Sequence, residues 1–170
     1  EGAQDSIRAI YVGPLKALIN DQFSRLDRLC ERMEIPVHRW HGDVSVSHKQ
    51  ALRRNPGGML LITPESLESN FTNYGTEVPR LYRELEFVVI DEVHSFLGNV
   101  RGIHLLSLLS RLRSATGRQQ RMIGLSATLG DPEMGKRFLA PDAVPSVTLI
   151  QETSTGRQVR FALKAVLKRP

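Results

Sequence analysis

Asp91 and Glu92 follow the apolar run Phe87-Val88-Val89-Ile90, so adjacent carboxylates stand at the tip of an extended segment. Phosphoryl transfer uses one carboxylate to hold Mg²⁺ and another polar group to orient an attacking water. Asp91 suits the metal, held through water, and Glu92 suits the water that attacks. His94 comes two residues after Glu92, and a further polar set, Ser126 and Thr128, follows the apolar run Met122-Ile123-Gly124-Leu125. Three more clusters share this placement. Gly13-Pro14 follows Ile7–Val12, Gly42-Asp43 follows Val37–Trp40, and Thr63-Pro64-Glu65 follows Met59–Ile62.

These groups need elements to position them. Ile7 to Val12 reads as a strand. The apolar spacing of Leu18, Ile19, Phe23, Leu26, Leu29, Cys30 and Met33 predicts an amphipathic helix from Leu15, ending before Ile35-Pro36. Val37 to Trp40 is a second strand, followed by a helix capped by Ser45 or Ser47 and running to about Arg54. Asn55-Pro56-Gly57-Gly58 breaks the chain before a third strand, Met59 to Ile62. Thr63 then suits a helix cap, Pro64 the first helical position and Glu65 the first turn. Phe87 to Ile90 is a fourth strand, Ile103, Leu106, Leu109 and Leu112 carry a helix, and Met122 to Leu125 is a fifth strand. Val147 to Ile150 reads as a sixth, and Val159 to Val166 as a seventh or a linker. Continuous apolar strands alternating with helices predict an α/β fold, a parallel sheet covered on both faces. Ligands bind such sheets beyond the carboxyl ends of the strands, where every cluster above falls.

Asp91-Glu92-Val93-His94 resembles the DExH box of superfamily 2 DExH/DEAD-box helicases. Other motifs match in family order. Pro14-Leu15-Lys16-Ala17-Leu18 is similar to motif Ia, Thr63-Pro64-Glu65-Ser66-Leu67 to the TPE motif, Gly42-Asp43 to a short glycine motif, and Ser126-Ala127-Thr128 to motif III. Gly98-Asn99-Val100-Arg101-Gly102 resembles an element of the large helicase-related (Lhr-type) group. The resemblance implies a RecA-like domain that uses ATP and Mg²⁺. It implies that Asp91 and Glu92 serve the nucleotide site, and that His94, Ser126 and Thr128 couple hydrolysis to strand movement. Pro14, Leu15, Lys16, Gly42, Asp43, Thr63, Pro64 and Glu65 would line the path of a single- or double-stranded nucleic acid, with DNA favoured over RNA. Motifs that grip backbone carry no base readout. A motor that translocates on duplex without unwinding, and a binding module that has lost its ATPase, stay open as alternatives.

A phosphate loop, G-x-x-x-x-G-K-[ST], would precede these motifs in the family. The near match Gly130-Asp131-Pro132-Glu133-Met134-Gly135-Lys136 fails, because Arg137 replaces the Ser/Thr, Pro132 has no N–H, and two acids face the phosphates. It reads instead as a helix start, with Asp131 capping and Pro132 first. The expectation is therefore a first RecA-like domain over residues 1–156 without its phosphate-loop strand, with 157–170 leading toward a second motor domain. On its own this segment is expected to hydrolyse no ATP. The strand at Met122 to Leu125 would face an open gap or a bare edge, so either rearrangement or self-association is expected.

The bulk composition agrees. The 170 residues fit one domain, with 41% apolar and 24% charged residues. A net charge of +5 favours a polyanionic partner. A single cysteine, Cys30, excludes a disulfide framework and reads as a buried thiol. No run approaches the roughly 18 apolar residues of a membrane span, and no secretory signal is visible, so a cytoplasmic protein is expected. Asn70-Phe71-Thr72 reads as a chance glycosylation pattern, and His38 and His41 lack the spacing of a zinc site.

Overall fold

Extended runs cannot satisfy their own backbone N–H and C=O groups, so they pair. The computed structural model, which describes residues 6–128 and 130–151, shows five such runs as strands. They are β1 (Ala9–Val12), β2 (Val37–Trp40), β3 (Met59–Ile62), β4 (Phe87–Ile90) and β5 (Arg121–Gly124). The sheet is parallel throughout, in the order β2-β3-β1-β4-β5. Val12 is level with Ile62 and Ile90, Trp40 with Ile62, and Ile90 with Gly124. All five strands therefore end on one line, and the polar clusters emerge side by side along one rim.

Six helices connect and flank the strands: α1 (Lys16–Glu31), α2 (Val46–Arg54), α3 (Pro64–Tyr74), α4 (Val78–Leu81), α5 (Val100–Thr116) and α6 (Pro132–Leu139). The caps read from sequence form. Ser45 accepts from the His48 N–H, Thr63 from the Ser66 N–H, and Asp131 from the Glu133 and Met134 N–H groups. The rejected phosphate-loop pattern is thus a capped helix with Gly135 buried inside it.

Side chains alternate across the sheet. Ile10, Val12, Leu60, Ile62, Val88 and Ile90 enter a large core with α2 through α5, whereas Tyr11, Val37 and Leu61 meet Ile19 and Cys30 of α1. The expectation of cover on both faces is met only in part. A helix is about 10 Å across and strands lie about 4.8 Å apart, so α1 alone spans roughly two strands. On its face Val89 is half-buried and Ile123 is 40% exposed.

Three further details differ from the sequence reading. Val147 to Ile150 is not a strand: among the described residues no strand pairs with it, and Ile150 is 92% exposed. Ile103 does not carry its helix: it is 70% exposed, and α5 packs instead through Gly102, Leu105, Leu108, Leu109 and Leu112. The short helix α4, started by Pro79, was hidden in an unpatterned stretch. Asn70 is fully buried, with its amide donating to the Tyr82 hydroxyl at 3.0 Å, so it is no glycan acceptor in the folded chain. The expected segment 157–170 lies outside the described residues. Among the described residues no helix is long and apolar enough to cross a membrane.

Candidate functional site

The rim carries two groupings, one on each side of β1. The first gathers at the tips of β4 and β5. Backbone bonds extend the ladder past both strands: Asp91 N–H donates to Val12 O at 2.9 Å, Leu125 N–H to Ile90 O at 2.9 Å, and Val93 N–H to Leu125 O at 2.9 Å. These bonds fix where the polar side chains start. Glu92 N–H donates to Asp91 Oδ1 at 3.0 Å.

Glu92 adopts left-handed backbone geometry, φ 49° and ψ 47°. The other non-glycine residue of this kind, Glu34, closes the C-terminal turn of α1. Glu92 closes no helix. Holding an ordinary side chain there costs on the order of 1–3 kcal/mol, and such strain gathers at functional sites. The result is to turn the Glu92 carboxylate toward His94, whose Nδ1 lies 3.3 Å from Glu92 Oε2 and 2.7 Å from Ser126 Oγ. Ser126 Oγ donates to Thr128 O at 3.1 Å, so its proton is committed. The His94 Nδ1–H is then the donor to Ser126. Asp91, Glu92, His94 and Ser126 thus form one connected set. Thr128 joins it through its carbonyl, not its hydroxyl.

Tyr11 was not singled out in the sequence. Burial foremost, and then the Asp91 carboxylate beside it, push its phenol well above the ordinary range. It therefore stays protonated, a neutral neighbour for Asp91. An aromatic with a polar tip, in an otherwise aliphatic strand one residue from its end, was the available signal.

Among the described residues no group of three or more His, Cys, Asp or Glu side chains is placed to share a metal. Asp91 offers one carboxylate, and that suits Mg²⁺. This ion keeps several waters and takes substrate phosphate oxygens alongside one or two carboxylates.

The second grouping is a groove of about 740 Å³ across the tips of β1, β2 and β3. Pro14, Leu15, Lys16, Gly42, Thr63 and Glu65 all line it. Pro64 is buried as the first residue of α3, and Asp43 reaches the groove through Lys16, whose Nζ donates to Asp43 Oδ1 at 3.0 Å. That hydrogen bond, first, holds the Asp43 carboxyl below its ordinary value. Burial, the largest single influence, pushes Glu65 up, but the bond and charge of Arg101 together with hydrogen bonds from its own backbone and Thr63 leave it lowered. Glu65 in the groove and Asp43 at its margin thus each hold a cation.

Trp40, His41, Lys49, Ser66 and Ser69 also line the groove and were missed. Ser66 and Ser69 follow Thr63 at steps of three, the spacing of one helix face, which was a readable signal. The Thr63 hydroxyl is occupied as a cap and donates to Ser66 Oγ at 3.0 Å, so Ser66 extends the polar wall. His41 is buried, and Nε2 sits 3.0 Å from Asn20 Oδ1. Burial is the main cause lowering its pKa, so it stays neutral. Lys49 has no carboxylate partner among the described residues and lies 5.9 Å from the Trp40 ring centroid.

Residues 2–135 match the family model for DEAD/DEAH box helicases. The chain belongs to the DEAD/DEAH box helicase family. Among its relatives, ATP-dependent helicase Lhr-Core protein 2 of Thermococcus barophilus is 30% identical, with 96% of this chain and 20% of that protein aligned. The structure of Mycobacterium smegmatis helicase Lhr bound to ssDNA and AMP-PNP is similar, with a TM-score of 0.69, 33% identity, and 82% of this chain and 20% of that one covered. DUF1998 helicase MrfA, solved with DNA and AMPPNP, gives a TM-score of 0.68 at 30% identity, covering 79% of this chain and 19% of that one. This helicase domain therefore resembles Lhr-type members, as the Gly98–Gly102 element suggested. It spans about a fifth or less of the length of these relatives.

Proposed function

We propose that this chain is the part of an ATP-dependent helicase motor that couples nucleotide hydrolysis to movement of a DNA strand. The observation that carries the reading is the connected set Glu92–His94–Ser126, which ties the carboxylate pair of β4 to the tip of β5. In this reading Asp91 holds Mg²⁺ through water and Glu92 orients the attacking water. Bound Mg²⁺ supplies charge that offsets the charge building on the transferred phosphoryl group. His94 hands a change at Glu92 to Ser126 by exchanging one hydrogen-bond partner for another. The groove takes the strand backbone, with Lys16 and the Ser66 hydroxyl as donors.

Residues 1–156 are read as the first RecA-like domain and 157–170 as the lead into the second. No phosphate loop of the usual pattern occurs within the chain, so the nucleotide's phosphates are held by residues of the parent protein outside it. By itself the chain is then expected to hydrolyse no ATP. DNA is favoured because both solved relatives named above carry it, and the cytoplasm is the expected compartment.

The test is strand displacement by the full-length protein, given Mg²⁺-ATP and tailed DNA or RNA duplexes. Displacement of the DNA duplex supports the reading. Hydrolysis without displacement assigns a duplex translocase, and absence of both with every nucleic acid assigns a binding module.

The β5 edge and the open half-face beside it, with Ile123 and Leu125 about two-fifths exposed, support pairing with another strand. The 170-residue chain studied alone is expected to self-associate there. Light scattering that shows only monomer across a concentration series would remove this expectation.

A further inference from the structure

The Gly98–Gly102 element marks a subgroup, but the motor reading gives it no task. Three of its residues, Gly98, Asn99 and Gly102, explain themselves locally. Gly98 takes φ +67°, a turn that side chains rarely adopt. Asn99 caps α5, accepting from Gly102 N–H at 3.0 Å. At Gly102 an added Cβ would lie 1.9 Å from the Phe96 carbonyl oxygen. Arg101 has no such local role. It leaves the helix and reaches both sides of the groove's mouth.

Its Nε donates to Glu65 Oε1 at 2.8 Å and its Nη2 to Glu65 Oε2 at 3.1 Å. The same Nη2 donates to the Pro14 carbonyl at 2.7 Å. The guanidinium also lies 5.5 Å from the Phe96 ring centroid, which limits its orientation. One planar fork thus joins the turn after β1 to the first turn of α3. These elements are far apart in sequence, and among the described residues no other side chain is bonded to both.

We infer that Arg101 is a positioning residue, setting the separation of the Pro14–Lys16 turn and the Thr63–Ser66 helix start so that both meet the backbone of one nucleic-acid strand. The inference rests on the groove reading above. It also explains a carboxylate in a phosphate path. Glu65 repels phosphate, so its place there is to hold Arg101. A lysine cannot substitute, because an ammonium lacks the fixed planar fork that serves both partners at once. Arg101, already bonded to Glu65 and Pro14, adds no phosphate contact of its own.

The test uses the full-length protein and a labelled single-stranded DNA oligonucleotide, with affinity read by fluorescence anisotropy over a salt series. Arg101→Ala is expected to weaken binding about tenfold, the scale of a displaced contact geometry, with the slope of log K against log salt unchanged. Arg101→Lys keeps the charge and the fold and is also expected to bind several-fold more weakly than wild type. Lys16→Ala, a direct phosphate contact in this reading, should lower the slope by about 0.7. Thermal unfolding of each variant confirms that it is folded. Full affinity in Arg101→Lys overturns the inference, as does a slope in Arg101→Ala reduced like that of Lys16→Ala. If Lys16→Ala and Arg101→Ala both bind as wild type, the groove reading itself fails. If only Lys16→Ala weakens, the groove stands and the role of Arg101 is wrong.

Discussion

Glu92→Gln in the full-length protein is expected to lower ATP hydrolysis about 10²- to 10⁴-fold, the range for removing a positioned general base. The carboxamide matches the carboxylate in size, so it can occupy the same left-handed backbone turn. It also keeps its place beside His94, whose Nδ1 lies 3.3 Å from Glu92 Oε2. What it cannot do is accept the proton of an attacking water. Binding of a non-hydrolysable ATP analogue is therefore expected to survive while phosphate release collapses. Steady-state phosphate release, with analogue binding as the control, separates these outcomes. Hydrolysis within about twofold of wild type would remove Glu92 from the chemistry. Loss of analogue binding as well would point to a damaged site.

The largest expected effect on stability falls at Phe96, which follows the turn after the DExH box and is fully buried in the main core. Phe96→Ala is expected to cost about 3–5 kcal/mol, the usual range for truncating a buried aromatic ring. Domains of this kind are held by about 5–15 kcal/mol in total, so the loss is a large share. It corresponds to a fall in melting temperature on the order of 10 °C. The site cannot collapse to fill the hole, because the Phe96 carbonyl already abuts α5 at Gly102. Denaturant unfolding of the full-length protein, followed for this domain's transition, gives the number. A loss below about 1 kcal/mol would show that the core repacks there. Phe96→Leu, closer in volume, should cost far less.

Both expectations draw on features of different legibility. The DExH run could be read from residue order, because an apolar strand and two acids at its tip need no partner to be recognised. The caps at Ser45, Thr63 and Asp131 were equally readable, since capping is a bond between residues two or three apart. The failures share one cause. Val147 to Ile150 has strand-like residues, but a strand exists only where another strand accepts its hydrogen bonds, and among the described residues none does. Ile103 fits a helical period, but which stripe of α5 turns inward was set by α3, α4 and the sheet, with Gly102 allowing the closest approach. Helices flank both faces, but among the described residues the α1 face stays partly open over β4 and β5, because hydrophobicity along a strand does not count the helices available to bury it.

The sequence by itself determined the family, the parallel α/β architecture and the line of strand-end motifs, because each is written in local order, periodicity and breaker residues. Only the tertiary structure decided what those motifs touch. It paired Lys16 with Asp43, joined Pro14 to Glu65 through Arg101, set Tyr11 against Asp91, and brought the Thr128 carbonyl to the Ser126 hydroxyl. Apart from Thr128, these partners lie from 27 to 87 residues apart. Their meeting depends on strand order and on where each helix crosses the sheet, which neither residue type nor spacing encodes locally.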